Sequence, residues 1–170
     1  MDRCLSVVTE SEEETLRVGE AAGRLLEAGS VVALTGELGA GKTVFVRGVA
    51  AGLGIEDAPV SPTFVVMNEY GGGRLALYHF DLYRLGSAGE LAALGVEEYF
   101  WGGGVCVVEW ADRARELFPP HTLWVDIALP RDLSHGEGII TTRIITFRGD
   151  CGWLSLFRST VGRALRTLKR

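Results

Sequence analysis

The chain alternates between short runs rich in Val and Ile and longer stretches whose apolar positions recur at helical spacing, with Gly and Pro clusters between them. Cys4-Leu5-Ser6-Val7-Val8 reads as a first strand. Ser11-Glu12-Glu13-Glu14 has the capping-box form, and the helix it opens turns Leu16, Ala22, Leu25 and Leu26 inward before Gly29 ends it. The acids in its first turn suit the positive end of a helix and need no catalytic role. Ser30-Val31-Val32-Ala33-Leu34-Thr35 is a continuous apolar run, the pattern of a parallel strand covered on both faces. Thr43 to Leu53 then carries Val46, Val49, Ala50 and Leu53 at helical spacing, closed by Gly54.

A loop from Gly54 to Pro62 is punctuated by Pro59. Phe64–Tyr70 and Arg74–Phe80 follow as two strands of an antiparallel hairpin joined by Gly71-Gly72-Gly73. Ser87-Ala88-Gly89-Glu90 opens a short helix through Leu94, and Val96–Phe100 adds a further turn. Val105–Trp110 is a second buried strand, and Ala111–Leu117 a short helix stopped by Pro119-Pro120. Leu123–Leu129 and Ile139–Phe147 read as strands, with Gly136 and Gly138 between them. Trp153–Lys169 places Leu154, Phe157, Val161, Leu165 and Leu168 on one helical stripe.

Composition narrows the class without naming a chemistry. With 170 residues, 47% hydrophobic and 23% charged, the chain can bury one substantial core. A net charge of −5 argues against a generally adhesive nucleic-acid binder. Cys4, Cys106 and Cys151 form no Cys-x-x-Cys pair, and His79, His121 and His135 are scattered. Neither a zinc site nor a disulfide framework is expected, and reduced cytoplasmic thiols are. No apolar run approaches the ~20 residues of a membrane-spanning helix, so no membrane partner is expected.

The chemistry concentrates in Gly36-Glu37-Leu38-Gly39-Ala40-Gly41-Lys42-Thr43, a P-loop pattern set between the second strand and the second helix. Its glycines let the backbone N–H groups of Glu37, Leu38, Gly39, Ala40 and Gly41 turn onto a polyphosphate. Lys42 adds a charge for the terminal phosphates, and the Thr43 hydroxyl suits Mg²⁺. The helix that starts there contributes its positive end. A P-loop also needs carboxylates for the metal and the attacking water. Glu109 closes an apolar strand where such an acid usually stands, although Asp is the commoner residue there. Asp81, at the end of the second hairpin strand, is the other candidate. Thr63 in Ser61-Pro62-Thr63-Phe64 could reach Mg²⁺ or the γ-phosphate as switch loops do, but local sequence favours an ST-turn leading into a strand. Trp110 points to the opposite strand face or, if the strand has ended, over the site.

The expected fold is therefore α/β: a P-loop nucleotide-binding domain with a parallel central sheet extended by antiparallel strands. Residues 1–150 form that domain, and residues 151–170 an amphipathic helical extension packed on it. The last helix carries Arg158, Arg163, Arg166, Lys169 and Arg170 away from its apolar stripe. These suit a solvated face near a helix C-terminus, or a nucleic-acid or partner contact. The Asn-Lys-x-Asp element that reads guanine is absent. An ATP hydrolase, a small kinase with Asp81 as base and a nucleotide-dependent binding module remain open.

Four segments, in this order, resemble the bacterial TsaE (YjeE) ATPases of tRNA threonylcarbamoyladenosine synthesis: Leu34–Thr43, Ser61-Pro62-Thr63-Phe64, His79-Phe80-Asp81-Leu82-Tyr83-Arg84-Leu85 and Glu109-Trp110. The resemblance spans roughly residues 8 to 130. It implies that Thr43, Asp81 and Glu109 surround Mg²⁺, that Thr63 belongs to a switch-like loop, and that Trp110 and Thr9 lie near the nucleotide. It also implies TsaD and TsaB as partners, with hydrolysis that is slow alone and resets their complex. Ala111-Asp112-Arg113 replaces the family's frequent Pro-Glu-Arg but retains Arg113, a candidate with Arg84 for transition-state charge. The segment after about Asp150 extends the usual family C-terminus.

Overall fold

The computed structural model describes residues 4–130 and 141–168, with the side chains of the last helix as far as Leu165. The strands are β1 (Cys4–Thr9), β2 (Val31–Thr35), β3 (Met67–Tyr70), β4 (Leu77–Asp81), β5 (Val105–Glu109), β6 (Leu123–Ala128) and β7 (Arg143–Arg148). They form one seven-stranded sheet in the order β1-β7-β6-β2-β5-β4-β3. Strands β4, β5, β2 and β6 run parallel. Antiparallel β3 borders β4, while β7 and β1 extend the other side. Helices α1 (Glu12–Gly23), α2 (Lys42–Gly52) and α5 (Cys151–Leu168) pack on one face. The short α3 (Ala88–Ala93), α4 (Val96–Phe100) and a 3₁₀ segment (Ala111–Leu117) cover the other.

This layering explains the apolar runs. Strands β2 and β5 lie in the middle with helices on both sides, so Val31–Leu34 and Val105–Glu109 are buried at every position. Strand β6 buries Leu123, Val125 and Ile127 on the α1/α2 face and turns alternate residues away. On α5, Leu154, Phe157 and Val161 enter the same core, where the Phe157 and Phe147 rings meet at 4.5 Å. Arg158 and Arg163 are exposed, while the side chains of Arg166 and Leu168, with all of Lys169 and Arg170, lie outside the described residues. Among the described residues, no helix is long and apolar enough to cross a membrane.

Several boundaries differ from the sequence expectation, each for a physical reason. Phe64-Val65-Val66 is a turn instead of strand: the Pro62 carbonyl accepts the N–H groups of both Val65 and Val66. Val66 adopts φ 70°, a conformation that a β-branched residue enters only under constraint. Arg74–Ala76 leaves the hairpin because Arg74 is tied elsewhere. Its N–H donates to the Leu53 carbonyl, and its guanidinium to the carbonyls of Gly23 and Leu26 just past α1. Helix α1 stops at Gly23, short of Gly29. The expected strand at Ile139–Phe147 begins at Arg143; Ile139 and Ile140, with Gly136 and Gly138, lie outside the described residues.

Helices α1 and α2 touch through glycines: Gly19 and Gly23 face Gly48 and Gly52. A Cβ on Gly48 would overlap the Leu16 carbonyl oxygen and crowd the backbone of Gly19 and Glu20. Because backbone is the obstacle, no rotamer change relieves the overlap. Gly48→Val is expected to lower stability by about 3 kcal/mol. Urea unfolding would show this as a lower midpoint at unchanged slope; an unchanged midpoint would mean that the helices part without cost.

Candidate functional site

The P-loop leaves β2 at Thr35, and α2 begins at Lys42. Gly36 passes so close to the Ile127 carbonyl that a Cβ would overlap it. Gly41 occupies the N-cap position at φ 104° and provides no side-chain cap. The first-turn N–H groups of α2 therefore depend on something other than a capping side chain, the usual condition at an anion-binding helix end. From the outside, Arg143 on β7 donates Nε to the Ala40 carbonyl at 2.7 Å and Nη2 to that of Gly39 at 3.4 Å. Carbonyls held outward leave N–H groups for the inner side.

Lys42 is buried, and its Nζ donates to the carbonyls of Gly36 at 2.7 Å and Glu37 at 2.9 Å. Burial pushes the Lys42 ammonium below its usual range, opposed by the negative charges of Glu109, Asp81, Asp112 and Asp126. Trp110 stands over it, ring centroid 4.0 Å from Nζ. That position follows from the end of β5 at Glu109: Trp110 turns into the left-handed region at φ 58° and leaves the strand face.

The acids come from neighbouring strands. In the parallel β4/β5 pair, Asp81 is the register partner of Glu109. Both carboxylates are buried to 3% exposure on the α2 side of the sheet. The Thr43 hydroxyl donates to Glu109, 3.1 Å from Oε1 and 3.4 Å from Oε2. His79 Nε2 lies 2.8 Å from the same Oε1. Asp81 Oδ2 accepts from Ser61 at 2.5 Å and Thr63 at 2.9 Å, and Oδ1 from the Tyr83 N–H at 2.8 Å.

A cleft of 430 Å³ lies among these groups, lined by Leu38, Lys42, Thr43, Thr63, Asp81, Glu109 and Trp110. A recess of 200 Å³ lies on the other side of Gly39 and Gly41, against Glu12, Thr15, Val44 and Arg143. Thr9 reaches neither space directly: it is fully buried and shares a hydrogen bond with Thr15, whose own residue lines the recess. Arg113 is outside the cleft lining too, donating to the Leu85 carbonyl at 3.3 Å and facing the Tyr83 and Trp110 rings. Arg84 stacks on Phe64 at 4.3 Å. Glu37 is exposed and contributes its carbonyl to Lys42.

Lys42, Thr43, Asp81, Glu109, Thr63 and Trp110 thus meet at one cleft. Ser61 lines it too, His79 backs Glu109 and Arg143 holds the loop from the far side, none of them singled out from the sequence. For His79 a signal existed: it alternates with Asp81 on β4 and must share its face. Arg143 had none, because its position follows from the sheet order.

The donor set suits a hard cation. One hydroxyl and two carboxylates meet beside a loop shaped for phosphate, the combination Mg²⁺ uses when substrate and water complete its shell. Among the described residues no group of three or more His, Cys, Asp or Glu could enclose a metal alone. The cysteines offer no alternative: Cys106 is buried within β5, and burial pushes its thiol far up from the ordinary range.

Known proteins share this sequence and fold. The family profile described as "Threonylcarbamoyl adenosine biosynthesis protein TsaE" matches residues 9–135. The tRNA threonylcarbamoyladenosine biosynthesis protein TsaE of Treponema pallidum is 46% identical over 139 residues, covering 82% of this chain and 98% of that protein. The protein of the same name from Bacillus subtilis is 44% identical over 119 residues, covering 70% and 74%. The crystal structure of Bacillus subtilis YdiB superposes with a TM-score of 0.74 at 35% identity, covering 94% of this chain and 95% of that one.

Proposed function

The chain belongs to the TsaE family of proteins that act in threonylcarbamoyladenosine modification of tRNA, and from that premise we propose that it is a Mg²⁺-dependent ATPase whose hydrolysis acts as a switch. The observation that carries the reading is the uncapped start of α2 beside Lys42, facing two buried carboxylates across one cleft. The N–H groups of the P-loop and Lys42 hold the β- and γ-phosphates. Thr43, Asp81 and Glu109 would hold Mg²⁺, which when bound neutralises charge on the phosphate oxygens. Glu109 orients the attacking water, since phosphoryl transfer demands position and charge more than covalent chemistry. The recess beside Thr15 and Arg143 receives the nucleoside end.

The switch reading rests on the Ser61–Phe64 loop. Two of its hydroxyls converge on Asp81 Oδ2, so a ligand that engages Asp81 competes with the loop for that oxygen. The loop ends at Val66, whose positive φ stores about 1–3 kcal/mol of strain. Phe64 is 83% exposed and Leu38, on the cleft lining, 76%. Movement of this loop would change what the protein offers to TsaD and TsaB, its proposed partners, in the cytoplasm. Arg84, stacked on Phe64, moves with the loop and supplies charge only then, which makes turnover slow in isolation. The tRNA is reached through those partners. Arg158 and Arg163 on α5 remain the candidates for a direct contact.

The test is the fate of the γ-phosphate. With γ-labelled ATP and Mg²⁺, the label is expected as inorganic phosphate, accelerated by TsaD and TsaB. Label on a small acceptor would replace this reading with that of a kinase. The geometry offers the kinase little, because Asp81, its required base, already accepts two hydroxyls of its own chain.

A further inference from the structure

Strand alternation puts Leu77, His79 and Asp81 on the α2 side of β4, with Val105, Val107 and Glu109 beside them on β5. His79 is fully buried there, and its Nε2 lies 2.8 Å from Glu109 Oε1. Its other ring nitrogen, Nδ1, is buried and meets no hydrogen-bonding group among the described residues. We propose that His79 is a positioning residue: as the Nε2–H tautomer it anchors Oε1 of Glu109, so that Oε2 is presented to the cleft. The proposal deepens the ATPase reading and rests on it for the consequence to turnover.

The tautomer follows from which arrangement leaves the smaller buried penalty. With the proton on Nε2, His79 donates to a carboxylate oxygen, and only a nitrogen lone pair at Nδ1 goes unmatched. With the proton on Nδ1, a lone pair would face the Oε1 lone pairs, and an N–H would be buried without an acceptor. The first arrangement is therefore favoured.

The two Glu109 oxygens then have different work. Oε1 is engaged by His79 at 2.8 Å and Thr43 at 3.1 Å, while among the described residues Oε2 has only the longer 3.4 Å approach of Thr43. His79 thus sets where the carboxylate sits. Support of this kind typically matters by 10- to 100-fold when removed, by analogy with residues that orient metal ligands.

Two measurements test it. Long-range ¹H–¹⁵N spectra of the histidine-labelled full chain, with His79 identified by its loss in His79→Gln, are expected to show the proton on Nε2. A proton on Nδ1 instead overturns the proposal, and this readout needs neither ATP nor turnover. In kinetics, His79→Leu is expected to lower kcat by about 30-fold with the KM for ATP within about twofold, and His79→Gln, which replaces the donor, to recover most of the loss. Equal losses in the two variants, or a rise in KM at unchanged kcat, would assign His79 to packing or to nucleotide binding. If the wild-type protein hydrolysed no ATP, the ATPase reading would fail while the spectrum still decided the tautomer.

Discussion

Lys42→Ala is expected to weaken Mg²⁺–ATP binding by about 10- to 100-fold and to lower turnover by about 100- to 1,000-fold. The size follows from the state of this lysine before phosphate arrives. Its ammonium is buried, and burial has already lowered its proton affinity against the pull of Glu109, Asp81, Asp112 and Asp126. It makes two carbonyl contacts at 2.7 and 2.9 Å, whereas a triphosphate offers full negative charge in the same low-dielectric space. Binding therefore gives a poorly solvated cation an anionic partner in direct contact, and the gain grows as charge develops in the transition state. Calorimetric titration with Mg²⁺–ATP and single-turnover phosphate release measure the two effects. Affinity within twofold of the parent would place the triphosphate somewhere other than this loop.

The second large effect is expected from Glu109→Gln: turnover should fall about 100- to 1,000-fold while ATP affinity stays within about threefold. The substitution retains the shape of the side chain and an acceptor for Thr43 and His79, and removes the negative charge. Loss of that charge relieves repulsion with the phosphates while loosening the hold on metal, so the two offset in affinity and the activation of water carries the loss. Asp81→Asn should share the split in weaker form, since Asp81 also restrains Ser61 and Thr63. The readout is again binding against rate. A Glu109→Gln variant with ordinary turnover would remove this residue from the chemistry whatever its distance from Thr43.

Between the two buried acids and the Ser61–Phe64 loop there is a physical link. Asp81 is at once register partner of Glu109 and acceptor for the loop. Under the proposed switch, a ligand on Asp81 would act on the position of Phe64 through this one carboxylate. Val66 in the left-handed region places strained backbone at the end of the same loop.

What the sequence determined by itself is whatever depends on neighbours a few residues away. The P-loop, the capping serines Ser11 and Ser87 and the buried runs of β2 and β5 were legible because spacing, turn chemistry and periodicity are local properties. Tertiary structure decided what depends on pairing between distant segments. Placing β5 between β2 and β4 brings Glu109 to Thr43, 66 residues away, and His79 to Glu109. Adding β7 beyond β6 carries Arg143 to Ala40, 103 residues away. The same non-local demands delayed the start of the hairpin strand from Arg74 to Leu77 and turned Trp110 over Lys42. Local sequence states which residues want burial or a turn; only the closing of the whole core settles which strand lies beside which, and hence which side chains meet.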